Sequence, residues 1–148
     1  MAKEPIYILL ADDDEDDRDF FRDALDELKM NTVVTFVNDG AQLMDYLDQP
    51  DVRLPHLIFL DLNMPLKSGM DCLKEIRANE QLRNLSVAIY STSASDEHIE
   101  ETFVKGANVY IRKPNDFTTL KKVLQEVISV NWQYHTSSLN KENFLFSI

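Results

Sequence analysis

The sequence predicts an α/β domain in which a parallel β-sheet is covered by helices on both faces. Three observations carry that expectation. Short apolar runs alternate five times with longer amphipathic ones between about residues 5 and 130, and parallel neighbours in a sheet need crossover connections of helical length. Ile8-Leu9-Leu10 and Leu57-Ile58-Phe59-Leu60 are apolar at every position, as strands buried on both faces require. At 148 residues, a single domain can bury about 70% of its unfolded surface.

The first strand is expected over Ile6–Ala11. A helix follows over Asp16–Leu28, where Phe20, Ala24 and Leu28 recur at i, i+4 and i+8 with Phe21 and Leu25 beside them. Val33–Val37 reads as the second strand. Gly40–Asp48 reads as the second helix, opened by the cap signal Asn38-Asp39 and carrying Leu43, Met44 and Leu47. The third strand spans His56–Leu60, and the third helix Gly69–Asn79 offers Met70, Leu73 and Ile76. Val87–Tyr90 and Val109–Ile111 complete the strands, rich in β-branched and aromatic residues. Between them Asp96–Lys105 offers Ile99 and Phe103, with Ser95 as cap and Gly106 as stop. The last helix, Asp116–Val130, shows Phe117, Leu120, Leu124, Val127 and Ile128 at helical spacing. Residues 131–148 read as an extension rather than a second domain, with an aromatic signal in Trp132 and Phe144-Leu145-Phe146. Exposed apolar residues usually find cover, so the extension is expected to pack or to dimerise.

Composition narrows the function classes. The chain has 26 Asp+Glu against 15 Lys+Arg, a net charge of −11. That argues against nucleic acid or an anionic membrane as the main partner, since both need a basic face. Ile6 to Ala11, the longest unbroken apolar run, is far short of the ~20 residues that span a bilayer. No signal peptide is read before it. Cys72, the one cysteine, rules out an intrachain disulfide and fits a reducing, cytoplasmic setting.

Open parallel sheets bind ligands beyond the carboxyl ends of their strands. Here those ends carry Asp12-Asp13, Asp61, Ser91 and Lys113 on the first, third, fourth and fifth strands. Carboxylates gathered at a partly desolvated edge repel each other, and a divalent cation relieves that repulsion. With only oxygen ligands near in sequence, Mg²⁺ is expected, Mn²⁺ being possible. Mg²⁺ usually completes its shell with waters and a phosphate oxygen. Lys113 is a cation able to pair with phosphate, Ser91 is a hydroxyl donor, and one carboxylate is placed as nucleophile. That is equipment for phosphoryl transfer to an aspartate.

Four colinear segments then show a resemblance: Ile8-Leu9-Leu10-Ala11-Asp12-Asp13; Leu60-Asp61-Leu62-Asn63-Met64-Pro65 with Gly69; Tyr90-Ser91; and Gly106-Ala107 with Tyr110-Ile111-Arg112-Lys113-Pro114. Together they resemble the receiver domain of bacterial response regulators, of the stand-alone chemotaxis-regulator type, over about residues 5–130. The resemblance implies a flavodoxin-like doubly wound sheet of five parallel strands in the order 2-1-3-4-5 with five flanking helices. It implies Asp61 as phosphoacceptor for a histidine kinase or histidine phosphotransfer protein. Asp13 and Asp61 would bind the metal directly, with the backbone carbonyl of Asn63, and Asp12 through water. Lys113 would hold the phosphoryl group, joined to Pro114 by a cis peptide. Ser91, with Thr92 beside it, would meet the phosphoryl oxygens, and Tyr110 would turn inward on phosphorylation. The surface so changed would engage a downstream protein that the sequence does not name.

Thr92 stands where the family usually has a smaller residue, which tightens donor access. The acidic run Asp14–Asp19 reads as a solvated helix start with favourable charge placement, or else as recognition of a basic kinase surface. Cys72 reads as a small buried residue. His56, His98 and His135 make no ligand spacing. Three other functions compete. A Mg²⁺-dependent aspartyl-phosphate phosphatase of the haloacid-dehalogenase type would need an acid two residues after the nucleophile, where Asn63 stands, so turnover of an external substrate is not expected. A flavodoxin-type electron carrier would need a Ser/Thr/Gly loop after the first strand, where Asp12–Asp17 would repel a flavin phosphate. A pseudo-receiver that only binds is disfavoured by the intact acceptor, metal and lysine set.

Overall fold

The computed structural model describes residues 4–93 and 95–129 and the backbone of 145–146. Strands β1 (Ile6–Ala11), β2 (Thr32–Val37), β3 (Leu57–Leu60), β4 (Ser86–Ser91) and β5 (Val109–Arg112) alternate with helices α1 (Glu15–Leu28), α2 (Gly40–Leu47), α3 (Gly69–Ala78), α4 (Asp96–Val104) and α5 (Phe117–Ser129). All strands pair in parallel in the order β2-β1-β3-β4-β5, as the resemblance implies. A sixth, β6 (Leu145–Phe146), adds to the free edge of β5 with Tyr110 opposite Leu145 and Ile111 opposite Phe146. The sheet is therefore one strand wider than expected. β5 would otherwise present unpaired N–H and C=O groups. Trp132 and Phe144, also singled out in the extension, lie outside the described residues.

Alternation along each strand divides the core in two. Leu9, Ala11, Ile58, Leu60, Val87, Ile89 and Tyr110 face Leu43 and Leu47 of α2 and Cys72, Leu73 and Ile76 of α3, with Ile99 and Phe103 of α4 packed against them. Ile8, Leu10, Leu57, Phe59, Ala88, Tyr90, Val109 and Ile111 face Phe21, Ala24 and Leu25 of α1 and Leu120, Val123, Leu124, Val127 and Ile128 of α5. Both faces of the central strands are thus dry, which is why their sequences show no polar alternation. Phe21, Phe59 and Tyr90 make edge-on contacts with centroids 5.0–6.2 Å apart.

Helix starts follow the expected chemistry. Asp39 caps α2 by accepting from the Gln42 N–H, and Ser95 caps α4 by accepting from the His98 N–H. Gly106 stops α4 with a φ of +96°, a conformation with little cost only for glycine. Gly69 matters for another reason. A Cβ there would lie 2.1 Å from the carbonyl oxygen of Asp61, so only glycine lets α3 begin so close to the end of β3.

Candidate functional site

The carboxyl ends of β1, β3, β4 and β5 converge because the strands run in register. The Asp61 N–H donates to the Ala11 carbonyl at 3.0 Å, and the Lys113 N–H to the Ser91 carbonyl at 2.9 Å. Side chains that follow these strands emerge at one edge. Asp12 is fully buried and Asp61 5% exposed, while Asp13 is exposed. One carboxylate oxygen from each of the three lies within 4.8 Å of the others. Asp12 Oδ1 accepts from the Asp14 N–H at 3.0 Å, and Asp61 Oδ1 from the Asn63 N–H at 3.2 Å.

Lys113 stands over this group. Its Nζ lies 2.8 Å from Asp12 Oδ2, 2.8 Å from Asp17 Oδ2 and 3.1 Å from Asp61 Oδ2. Burial works against its charge, but the ion pair with Asp12, the hydrogen bond it donates to Asp17 and the field of Asp61 outweigh it, so its pKa lies above the usual lysine value. For Asp12 the balance goes the other way. Desolvation pushes its carboxyl up to about 6, although Lys113 and the Asp14 amide pull it down.

The donor set fits a hard divalent cation. Asp12 Oδ2 is buried and, despite its ion-pair contact with Lys113, has no aligned hydrogen bond. Three oxygen ligands on one side, one of them exposed, leave room for waters and an incoming anion. A testable consequence is that Mg²⁺ stabilises the protein more at pH 8 than at pH 5. The folded-state pKa of Asp12 is raised, so its share of stability is present below about pH 4 and is lost as pH rises through about 6. A cation at a hundred times its Kd would add about 2.7 kcal/mol, or roughly 5–10 °C in Tm for a chain of this size. Equal shifts in thermal melts at the two pH values would contradict this account.

The remaining expected residues fall around the same edge. Ser91 is buried, and its Oγ accepts from the Ser93 N–H at 3.2 Å. Thr92 is exposed and lines a pocket of about 410 Å³ with Arg112, Lys113, Pro114, Asn115, Asp116 and Thr119. Asn63 is exposed.

Two readings change. No cis peptide bond occurs among the described residues, so Lys113–Pro114 is trans rather than cis. Trans is the lower-energy form even before proline, by about 0.5–1 kcal/mol, and from it Nζ already reaches three carboxylates. Tyr110 lies inward. Its ring is fully buried in the α2–α3 side of the core, and its hydroxyl donates to the Ser93 carbonyl at 2.6 Å. Buried apolar surface with a satisfied hydroxyl is sufficient to hold it there. The other change is in the acidic run, which is not uniformly solvated. Asp14 caps α1 and Asp16 and Asp19 are exposed, but Asp17 is drawn onto Lys113.

Two residues were not legible in the sequence. One is Asp17, a participant in the site. The other is Arg77 on α3, away from the site, which ties the loops that lead into β4 and β5. Its Nε donates to the Gly106 carbonyl at 2.8 Å, and its other nitrogens donate to the Arg83 and Leu85 carbonyls and to Asn108 Oδ1 at 2.7–2.9 Å. Its place in the last turn of α3 was the only hint.

Comparisons with known proteins agree with this geometry. A profile of the response regulator receiver domain matches residues 8–125. The probable methanogenesis regulatory protein FilR2 of Methanothrix harundinacea is 30% identical over 129 residues, covering 85% of this chain and 83% of that protein. The chemotaxis protein CheY-3 of Vibrio cholerae is 34% identical over 120 residues, covering 81% and 89%. Among solved structures, the Mn²⁺-bound form of the response regulator Rcp1 superposes with a TM-score of 0.77 at 28% identity, covering 88% of this chain and 96% of that one. A phosphorylated cyanobacterial phytochrome response regulator, RcpA, also scores 0.77 at 29% identity, covering 83% and 91%. These matches lend no support to the phosphatase reading. With its five parallel strands in the order 2-1-3-4-5 and its acidic edge under a lysine, this chain belongs to the response regulator receiver domain family.

Proposed function

We propose that the protein is a signalling receiver that takes a phosphoryl group onto Asp61 from a histidine kinase or a histidine phosphotransfer protein, in a reaction that depends on Mg²⁺ or Mn²⁺. The observation that carries this reading is the convergence of Asp12, Asp13 and Asp61 with the Lys113 ammonium 3.1 Å from Asp61 Oδ2. A carboxylate oxygen of Asp61 attacks phosphorus, the bond from phosphorus to the donor nitrogen breaks, and the imidazole leaves with the electron pair. Asp12, Asp13 and Asp61, with the Asn63 carbonyl, would hold the cation, which when bound neutralises charge on the phosphoryl oxygens. Lys113 balances the remaining charge opposite it, and Ser91 and Thr92 stand at the adjoining strand end to donate hydroxyls. The exposed Asn63 offers no acid or base for repeated turnover, which supports a phosphoacceptor over a phosphatase.

The readout is a binding surface on the β4–β5 side. Ser91, Ser93 and Tyr110 are joined by hydrogen bonds, and Ser93 Oγ lies 2.8 Å from Nδ1 of His98 on α4. A change in Ser91 would therefore reach α4, a two-state element of the kind that switches use. Its target is a downstream protein rather than nucleic acid, since a net charge of −11 disfavours a polyanionic partner.

Acetyl phosphate with Mg²⁺ should add one phosphoryl group to the intact protein by mass spectrometry, and Asp61→Asn should abolish the addition. Uptake that persists in Asp61→Asn, or none in the native chain with beryllofluoride also failing to bind, would remove the reading.

A further inference from the structure

Asp17 differs from the other two carboxylates on Lys113. Asp12 and Asp61 belong to the acidic triad that a cation would occupy, whereas Asp17 sits outside it on the first turn of α1, half-buried. Its position is set twice over. The Asp17 N–H donates to the cap residue Asp14 at 3.1 Å, and the neighbouring Arg18 guanidinium donates to the Asp12 carbonyl at 2.8 Å, pinning this turn of α1 to the end of β1. Its Oδ2 accepts a hydrogen bond from Lys113 Nζ at 2.8 Å, shorter than the 3.1 Å bond to Asp61.

An ammonium has three donors, and here it faces three carboxylates. If Asp12 and Asp61 turn their oxygens to a divalent cation, the cation repels the ammonium, and of these three partners only Asp17 is left to hold it nearby. We infer that Asp17 is a positioning residue, the separate counter-ion that keeps the Lys113 ammonium beside Asp61 while the acidic triad serves the cation. The inference deepens the proposed function and rests on it for the phosphoryl step. Without Asp17, the ammonium would settle fully onto Asp12 and Asp61 and compete with the cation for their oxygens.

The test is a double-mutant cycle of Asp17→Asn with Lys113→Met, read first as Mg²⁺ affinity by calorimetry. Asp17→Asn should weaken Mg²⁺ several-fold when Lys113 is present and leave it nearly unchanged beside Lys113→Met. A loss of the same size in both backgrounds would mean that Asp17 only adds to the acidic field, and would overturn the inference. Lys113→Gln serves as the second background if the methionine variant does not fold. The second readout is phosphorylation by acetyl phosphate, which Asp17→Asn should slow by about tenfold, a typical cost of removing a group that orients a reactive one, with Asp17→Glu restoring most of the rate. Unchanged kinetics in Asp17→Asn would also overturn it. If not even the native chain takes up phosphoryl, the proposed function falls, while the Mg²⁺ cycle still decides the role of Asp17.

Discussion

Lys113→Ala should destabilise the metal-free protein at pH 8 by about 3–5 kcal/mol, the usual cost of removing one partner from a buried ion pair. Three carboxylates now share one ammonium, and the substitution would leave Asp12 and Asp61 buried together with nothing to balance them. The loss should depend on pH in a definite direction. Lys113 holds the Asp12 pKa down, so its removal drives that pKa above its present value of about 6. A carboxyl with a raised folded-state pKa stabilises below its unfolded pKa and loses that contribution as pH rises through the folded one. The variant should therefore recover much of its stability below pH 6 by protonating Asp12, and at pH 8 by binding Mg²⁺. Urea unfolding at pH 5 and pH 8, with and without Mg²⁺, measures all three. A midpoint at pH 8 equal to that of the native chain would show that the ammonium is not what neutralises this edge.

Arg77→Ala should cost about 2–4 kcal/mol, although Arg77 touches no functional residue. Its guanidinium donates four hydrogen bonds to acceptors on two loops and on Asn108, and hydrogen bonds from a charged donor are each worth about 1.5–3 kcal/mol where they are shielded from water. Asn108 in turn accepts from the Val87 N–H at 2.7 Å, which links the guanidinium to the start of β4. Burial lowers the Arg77 pKa, yet no carboxylate lies among these four acceptors. Arg77→Lys should recover little, because a point-charge ammonium cannot reproduce the planar fork that spans acceptors in different directions. Thermal and urea unfolding of the two variants check this; a lysine variant as stable as the native chain would show that charge alone suffices.

The two sites of largest predicted effect differ in how far the sequence foretold them. Lys113 was legible because it ends an apolar strand and precedes Pro114, and the same reasoning placed Asp12, Asp13, Asp61 and Ser91. Each lies at the end of a run of β-formers or just beyond it, and in an open parallel sheet the ends of neighbouring strands must meet. Arg77 and Asp17 were not legible. Helical periodicity says which face of its own helix a residue occupies, but not which loop or strand end stands opposite. Asp17 lies 96 residues before Lys113, in a run of carboxylates that local rules treat alike.

From its residues alone the chain determined the number and kind of elements in its doubly wound core, the caps Asp39 and Ser95 and the stop Gly106, and the polar groups at the strand ends. These depend on local propensity, on period and on the rule that buried strands are apolar on both faces. Tertiary structure decided which carboxylate shares the lysine, that Tyr110 lies inward, that Lys113–Pro114 is trans, and that Leu145–Phe146 widens the sheet. Each of those depends on the distance between groups far apart in the chain, which the packed sheet sets and no local pattern encodes.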